Sequence, residues 1–267
     1  MSVTVERVSI EMQGGVAVVT MRRPDKHNAL DQAMFTALRE AAAEVSRRPA
    51  VRAVVLCGEG PSFCSGIDLL SLAAEGGLDQ DVIFGKQPGH PGNNAQRIAT
   101  DWQLVPVPVI AAIQGTCFGG GMQLALGPDM RICAPDARLS ILEIKWGLIP
   151  DVGLTRTLPP LVGLDVAKEL TFTGRIVSGH EAKELGLVTR VADDPLAAAL
   201  ELAQEIAARS PDAIRAGKRI FQQIWPQAPI ESLQLEEDVQ KTLIGSPNQL
   251  EAVRAGMARE PARFVDP

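Results

Sequence analysis

Twice in its first 135 residues this chain passes from a short apolar run through a glycine-bearing turn toward a helix. Val51–Cys57 leads into Gly58-Glu59-Gly60-Pro61 and then the loop Phe63-Cys64-Ser65-Gly66-Ile67-Asp68-Leu69. Val109–Ile113 leads into the glycine-rich turn Gly115–Gly121 and a helix start at Met122–Leu126, after which Met130–Cys133 returns as a strand. Strands that alternate with helices need crossover connections, so the pattern predicts an α/β fold with largely parallel strands and right-handed crossovers. Ahead of them, Val3–Met12 and Val16–Met21 flank Gly14-Gly15 and read as a hairpin. Gln32–Arg47 places Phe35, Leu38, Ala42 and Val45 on one helical face, with Asp31 as its N-cap.

The strand signal ends at Pro195. Leu196–Arg209, Asp212–Gln223, Ile230–Leu243 and Gln249–Arg259 carry helical periodicity, punctuated by Pro211, Pro226, Pro229 and Pro247. Residues 1–195 therefore read as an α/β core and 196–267 as a helical region. Leu72–Asn94 is rich in Gly, Pro and acidic residues and reads as a mobile surface segment over a pocket.

At 267 residues the chain is long enough to bury a core without staples. A net charge of −6 provides no global basic field for nucleic acid, and the absence of Tyr argues against a base-stacking platform. Cys57, Cys64, Cys117 and Cys133 stand singly, as do His27, His90 and His180, so no metal or disulfide framework is expected. The run Leu104–Ile113 is too short to span a bilayer, and the N-terminus lacks a secretory pattern. A cytoplasmic protein with neither a nucleic-acid nor a membrane partner is the expectation.

At a strand-to-helix turn the backbone N–H groups lack helical acceptors, and glycine lets an outside acceptor approach closely. Two such turns facing one pocket would form an oxyanion hole, in which losing one donor typically costs ~3 kcal/mol of barrier. The alternative is that these glycines only permit tight packing. Gly119-Gly120-Gly121 lacks dinucleotide spacing, with Leu124 where a third glycine is needed, and no Walker lysine follows. Farther on, Glu143 stands among Leu142, Ile144, Trp146 and Ile149, surroundings that raise a carboxyl pKa by desolvation toward general acid–base use. Asp151 follows Pro150 and precedes a helical stretch, Val152–Leu158. The plainer readings are a solvated loop carboxylate for Glu143 and a helix N-cap for Asp151. Cys64 suits a small buried thiol better than a nucleophile, with no histidine suggested nearby.

These blocks together resemble the crotonase (enoyl-CoA hydratase/isomerase) superfamily. Arg23-Pro24-Asp25-Lys26-His27-Asn28-Ala29-Leu30 is similar to its RPxxxNAL motif. Ser65-Gly66-Ile67-Asp68-Leu69 and Gly119-Gly120-Gly121 resemble its two oxyanion loops, and Glu251–Phe264 its terminal signature, with Gly256 and Arg259 departing from the usual Phe and Lys. The resemblance implies a spiral of ββα units with a C-terminal helical trimerisation region, assembled as a homotrimer or dimer of trimers. It puts the oxyanion donors on the N–H groups of Ile67 and Gly120, and the CoA site on Lys26, Ala29 and Ser65 to Leu69. CoA would enter as part of the substrate, so no separate cofactor is expected. Arg22, Arg23 and Lys26 would offer the local positive charge that anionic CoA needs, with a solvated strand end as the alternative for Arg22.

Hydration in this superfamily uses two glutamates, one after the second glycine loop and one in the third block. Gln123 occupies the first place and Glu143 the second. A glutamine orients water but cannot take and return its proton. The pairing of Glu143 with an aspartate eight residues later, Asp151, resembles instead the Δ3,5-Δ2,4-dienoyl-CoA isomerases, although those usually carry an aspartate at the place of Gln123. The reaction this resemblance implies is a double-bond shift in a 3,5-dienoyl or 3-enoyl thioester, Glu143 moving the C2 proton and Asp151 supplying one at C6. An enoyl-CoA hydratase and a non-catalytic acyl-CoA binder are the alternatives.

Overall fold

Gly14 takes a left-handed backbone (φ +63°) in a two-residue turn that sets Gln13 opposite Val16. The hairpin so formed, β2 (Val8–Gln13) and β3 (Val16–Met21), begins a seven-stranded sheet. The computed structural model describes residues 3–5, 7–68, 83–224 and 231–264. With β1 (Val3–Val5), β4 (Ala53–Gly58), β5 (Val109–Ile113), β7 (Met130–Cys133) and β10 (Arg190–Val191), the sheet order is β1-β2-β3-β4-β5-β7-β10. From β3 onward every pairing is parallel, as the alternation of strands and helices requires.

Both faces of this sheet are covered, which is why β4 and β5 are buried throughout. Val54 and Leu56 point to a large core shared with Phe35 and Leu38 of the Gln32–Arg47 helix and Ile98 and Trp102 of the Asn94–Leu104 helix. Ala53, Val55 and Cys57 point the other way, onto Ala199 and Ala203 of the Pro195–Ala207 helix. The first C-terminal helix is thus one layer of the α/β core. Asp31 caps its helix as expected, its Oδ1 accepting from the Met34 N–H at 2.8 Å.

Two features depart from the expected elements. The glycine-rich turn contains a strand, β6 (Thr116–Phe118), which pairs with β8 (Arg138–Ser140) and through it with β9 (Val177–Ser178) in a second, three-stranded sheet. Thr116-Cys117-Phe118 is β-prone, but three residues inside a glycine cluster give no periodicity to read. The expected surface segment 72–94 is only partly visible, since residues 72–82 lie outside the described residues. Its remainder is anchored. Ile83 and Phe84 are buried in the large core, and Asn93 forms a reciprocal capping box with Gln96.

The helices Glu231–Leu243 and Pro247–Ala258 return over the core next to the turn that carries Glu143. All four C-terminal helices begin and end within two residues of their expected bounds, because each has Pro near its first turn or a polar cap.

Candidate active site

The two glycine loops meet. Leu30 and Ile67 form a parallel bridge in which the Leu30 N–H donates to the Gly66 carbonyl (2.8 Å) and the Asp68 N–H donates to the Leu30 carbonyl (3.0 Å). Leu30 takes both bonds, so the N–H of Ile67 points to the opposite edge. Cys64 and Cys117 form a second bridge, with the Phe118 N–H donating to the Cys64 carbonyl at 3.0 Å. Gly66 is left-handed (φ +91°), and a Cβ there would stand 2.8 Å from the Phe118 oxygen and 3.7 Å from the Gly120 nitrogen. Only glycine allows this approach. Gly119 donates to the Ser140 carbonyl (2.9 Å), and Gly120 opens the Gly120–Leu126 helix, where its N–H has no intrahelical acceptor. Among the described residues neither the Ile67 nor the Gly120 N–H has an acceptor, and the two residues pack against each other. These are the donors that the oxyanion reading requires.

The Arg23–Leu30 motif is mostly scaffold. Asn28 is fully buried; its Oδ1 accepts from the Arg23 N–H and its Nδ2 donates to the carbonyls of Glu59 and Ser62. Ala29 is buried, its carbonyl bonded by the Arg23 guanidinium at 3.0 Å. Ser65 donates through its backbone to the His27 carbonyl and through its hydroxyl to that of Lys26, holding the motif against the first loop. The expected basic cluster divides. Arg23 is buried in ion pairs with Asp68 (2.7 Å) and Asp31 (3.6 Å), so its charge is used inside the protein. Arg22 is an exposed strand-end residue paired with Glu59. Lys26 is exposed, and no ion-pair partner is found for it among the described residues. The Asp68 side chain faces Arg23. Leu69 lies outside the described residues.

Both acids are buried, Glu143 at 6% exposure and Asp151 at 7%. Glu143 starts the short 3-10 turn Glu143–Trp146, just after β8 ends at Ser140. It is therefore no solvated loop carboxylate. Asp151 is no N-cap either: Gly153 holds that place before the Leu154–Thr157 helix, without a side-chain bond. Burial lifts Glu143 to about 7, against the opposing bond from Gln123. Burial, then the charges of Glu143 and Glu236, lifts Asp151 to about 8. Near neutral pH this leaves Glu143 the better base and Asp151 the better acid. Glu143 also lies against the glycine loop, since a Cβ on Gly119 would stand 3.2 Å from its Oε1.

Sequence reading missed what holds these acids. Gln123 is fully buried; its Nε2 donates to Glu143 Oε1 at 2.7 Å and its Oε1 accepts from the Val152 N–H at 2.8 Å. From the Glu231–Leu243 helix, Glu236 accepts from the backbone of Gly153 (3.0 Å) and Thr155 (2.6 Å), and Gln240 accepts from the Ile149 N–H. A signal for this existed. Leu233, Glu236, Glu237 and Gln240 recur at helical spacing and are the buried face, while Leu235 (62% exposed) and Val239 (38%) face outward.

The sequence profile of the family described as Enoyl-CoA hydratase/isomerase matches residues 11–265. The chain belongs to that family. Within the enoyl-CoA hydratase/isomerase family, similar proteins include a mitochondrial Delta(3,5)-Delta(2,4)-dienoyl-CoA isomerase from Rattus norvegicus, 34% identical over 95% of this chain and 80% of that protein. A mitochondrial methylglutaconyl-CoA hydratase from Mus musculus is 31% identical over 95% of this chain and 81% of its own length. The crystal structure of an enoyl-CoA hydratase from Mycobacterium avium subsp. paratuberculosis K-10 superposes with a TM-score of 0.83 at 26% identity, covering 98% of this chain and 100% of that one. The expected crotonase-type α/β fold is thus the one observed. Among the described residues no helix is long and apolar enough to cross a membrane.

Proposed function

We propose that this family member is an acyl-CoA isomerase that moves the double bonds of a 3,5-dienoyl-CoA to the 2,4 positions. The observation that carries this reading is a pair of buried acids, neither used as a cap or surface charge, of which Glu143 lies against the Gly119–Gly121 turn that carries one of the two unbonded main-chain donors. A thioester oxygen held by the N–H groups of Ile67 and Gly120 acidifies C2. Ionised Glu143 takes a C2 proton, and the electrons delocalise through C3 to C6 as a dienolate. Protonated Asp151 then gives its proton to C6: one C–H bond breaks at C2, one forms at C6, and the double bonds end at C2 and C4. The similarity to a dienoyl-CoA isomerase supports this, and Gln123 argues against the hydratase alternative, since hydration needs a second ionisable acid at that place. Lys26 and the Ser65–Asp68 loop are the candidates for holding CoA; the thioester is the only ligand the scheme requires.

The assembly we propose is a homotrimer or a dimer of trimers. The number of subunits comes from the family resemblance; the need for a partner rests on the outward apolar face of the Glu231–Leu243 helix, which borders a cavity of about 500 Å³ lined by Leu164, Phe172, Leu235 and Val239. Such a face stays in water unless a partner covers it.

Purified protein given 3,5-dienoyl-CoA should produce the longer-wavelength absorbance of a diene conjugated to the thioester. Asp151→Asn should slow this by about 10²–10⁴-fold, the usual worth of a positioned acid. Hydration of 2-enoyl-CoA with no diene migration would make the protein a hydratase, and acyl-CoA binding without turnover would make it a binding protein.

A further inference from the structure

The mechanism leaves Gln123 without a chemical task, yet its side chain is fully enclosed within the site. Its backbone N–H donates to the Gly119 carbonyl at 3.0 Å, within the second oxyanion turn. Its amide NH2 donates to Glu143 Oε1, and its amide oxygen accepts from Val152, the residue after Asp151. One residue therefore ties together the oxyanion turn, through its backbone, and the base and the loop of the acid, through its side chain. Glu143 Oε1 is thereby held by Gln123 beside Gly119, whereas Oε2 is buried and has no partner among the described residues. A buried carboxylate oxygen left without a donor is costly, which marks Oε2 as the atom meant for the substrate's proton.

We propose that Gln123 is a positioning residue: its amide occupies one oxygen of Glu143, presents Oε2 to the C2 proton, and fixes the loop of Asp151 at a set distance from the base. The inference rests on the proton-transfer reading of the two acids. The amide is needed because it is a donor at one end and an acceptor at the other. An ionised carboxylate there would repel Glu143 and offer it no hydrogen. Asp151 and, beyond it, Glu236 and Gln240 of the Glu231–Leu243 helix are the other polar groups that face this arrangement.

The test uses a reaction that needs only the base and the oxyanion donors: loss of C2 protons from butanoyl-CoA in D2O, followed by NMR over a range of pH. Gln123→Met, which keeps the volume and removes both bonds, should exchange about 10- to 100-fold more slowly at nearly unchanged KM. The acidic limb of its pH profile should move upward, because the bond from Gln123 holds the Glu143 pKa down. Gln123→Glu should regain exchange as the pH falls, when the introduced carboxyl, once protonated, again donates to Glu143 and accepts from Val152. Exchange by Gln123→Met within twofold of the parent, with the same pH profile, overturns the proposal. If Gln123→Met fails to fold, Gln123→Glu decides alone, and a profile parallel to the parent's overturns it. Because butanoyl-CoA has no double bond to move, failure of the isomerase reading would show separately, as no diene migration by the parent.

Discussion

Glu143 and Asp151 are two acids that the fold holds away from water, and stability should register the cost. Near pH 4 both are neutral in the native chain, while in the unfolded chain Asp is at about its midpoint and Glu just below its own. As the pH rises, the unfolded chain ionises them first, while burial delays ionisation in the native state to about 7 for Glu143 and about 8 for Asp151. The native state therefore binds more protons than the unfolded one across this window, and stability falls as pH rises, at about 1.4 kcal/mol per unit for each fully engaged group. Asp151→Asn removes one such group. Its melting temperature should match the parent's near pH 4 and exceed it by several degrees at pH 8, since each kcal/mol is worth about 2–4 °C in a chain of this size. Equal melting curves at both pH values would mean Asp151 is solvated. At this scale the sequence was partly readable. The apolar neighbours of Glu143 forecast its raised pKa, but which amide meets which carboxylate depends on Gln123 and Glu143 coming together across twenty residues of chain, and no local pattern records that.

Among the elements, the two glycine loops approach each other closely at Gly66. A methyl group there meets the Phe118 carbonyl at 2.8 Å and, given the φ of +91°, also strains the backbone. Gly66→Ala should push the loops apart and misdirect the Ile67 and Gly120 donors. The expected outcome is a loss of about 10²–10³ in kcat on 3,5-dienoyl-CoA, the effect of removing an oxyanion donor, with the helical circular-dichroism signal retained. Wild-type kcat in this variant would place the oxyanion elsewhere. The helices were legible to within two residues because Pro and capping side chains mark their ends. The strand Thr116–Phe118 and the 3-10 turn at Glu143 were not, since elements of three or four residues carry no period and are set by the sheet they join.

For the molecule as a whole, the Glu231–Leu243 helix is the element that faces the other way from a usual amphipathic one. Its polar face does the inward work, through Glu236 on the Gly153–Thr155 turn and Gln240 on Ile149, leaving Leu235 and Val239 outside. The helical region from residue 196 on thus supplies a layer of the core and a wall of the site, beyond any part in assembly. Light scattering should give a trimer or hexamer for the parent and a smaller species for Leu235→Glu, whose charge cannot be buried against a partner. A monomeric parent would contradict the assembly. What composition and motif order conveyed was the class of fold and the family. The inverted helix shows what they could not convey, because a helix that buries polar residues inside its own chain and leaves apolar ones outside looks, in one sequence, like an ordinary amphipathic helix turned round.

In the proposed reaction one acid removes a proton at C2 and a different one delivers a proton at C6. Incubating the protein with 3,5-dienoyl-CoA in D2O and locating the label in the product by NMR tests it directly. A 2,4-dienoyl product carrying deuterium at C6 is the result expected, since Asp151 exchanges with solvent before each turnover. A product labelled at C4 instead, or one that retains the original C2 proton at its new position, would show a single acid doing both transfers and would contradict the account.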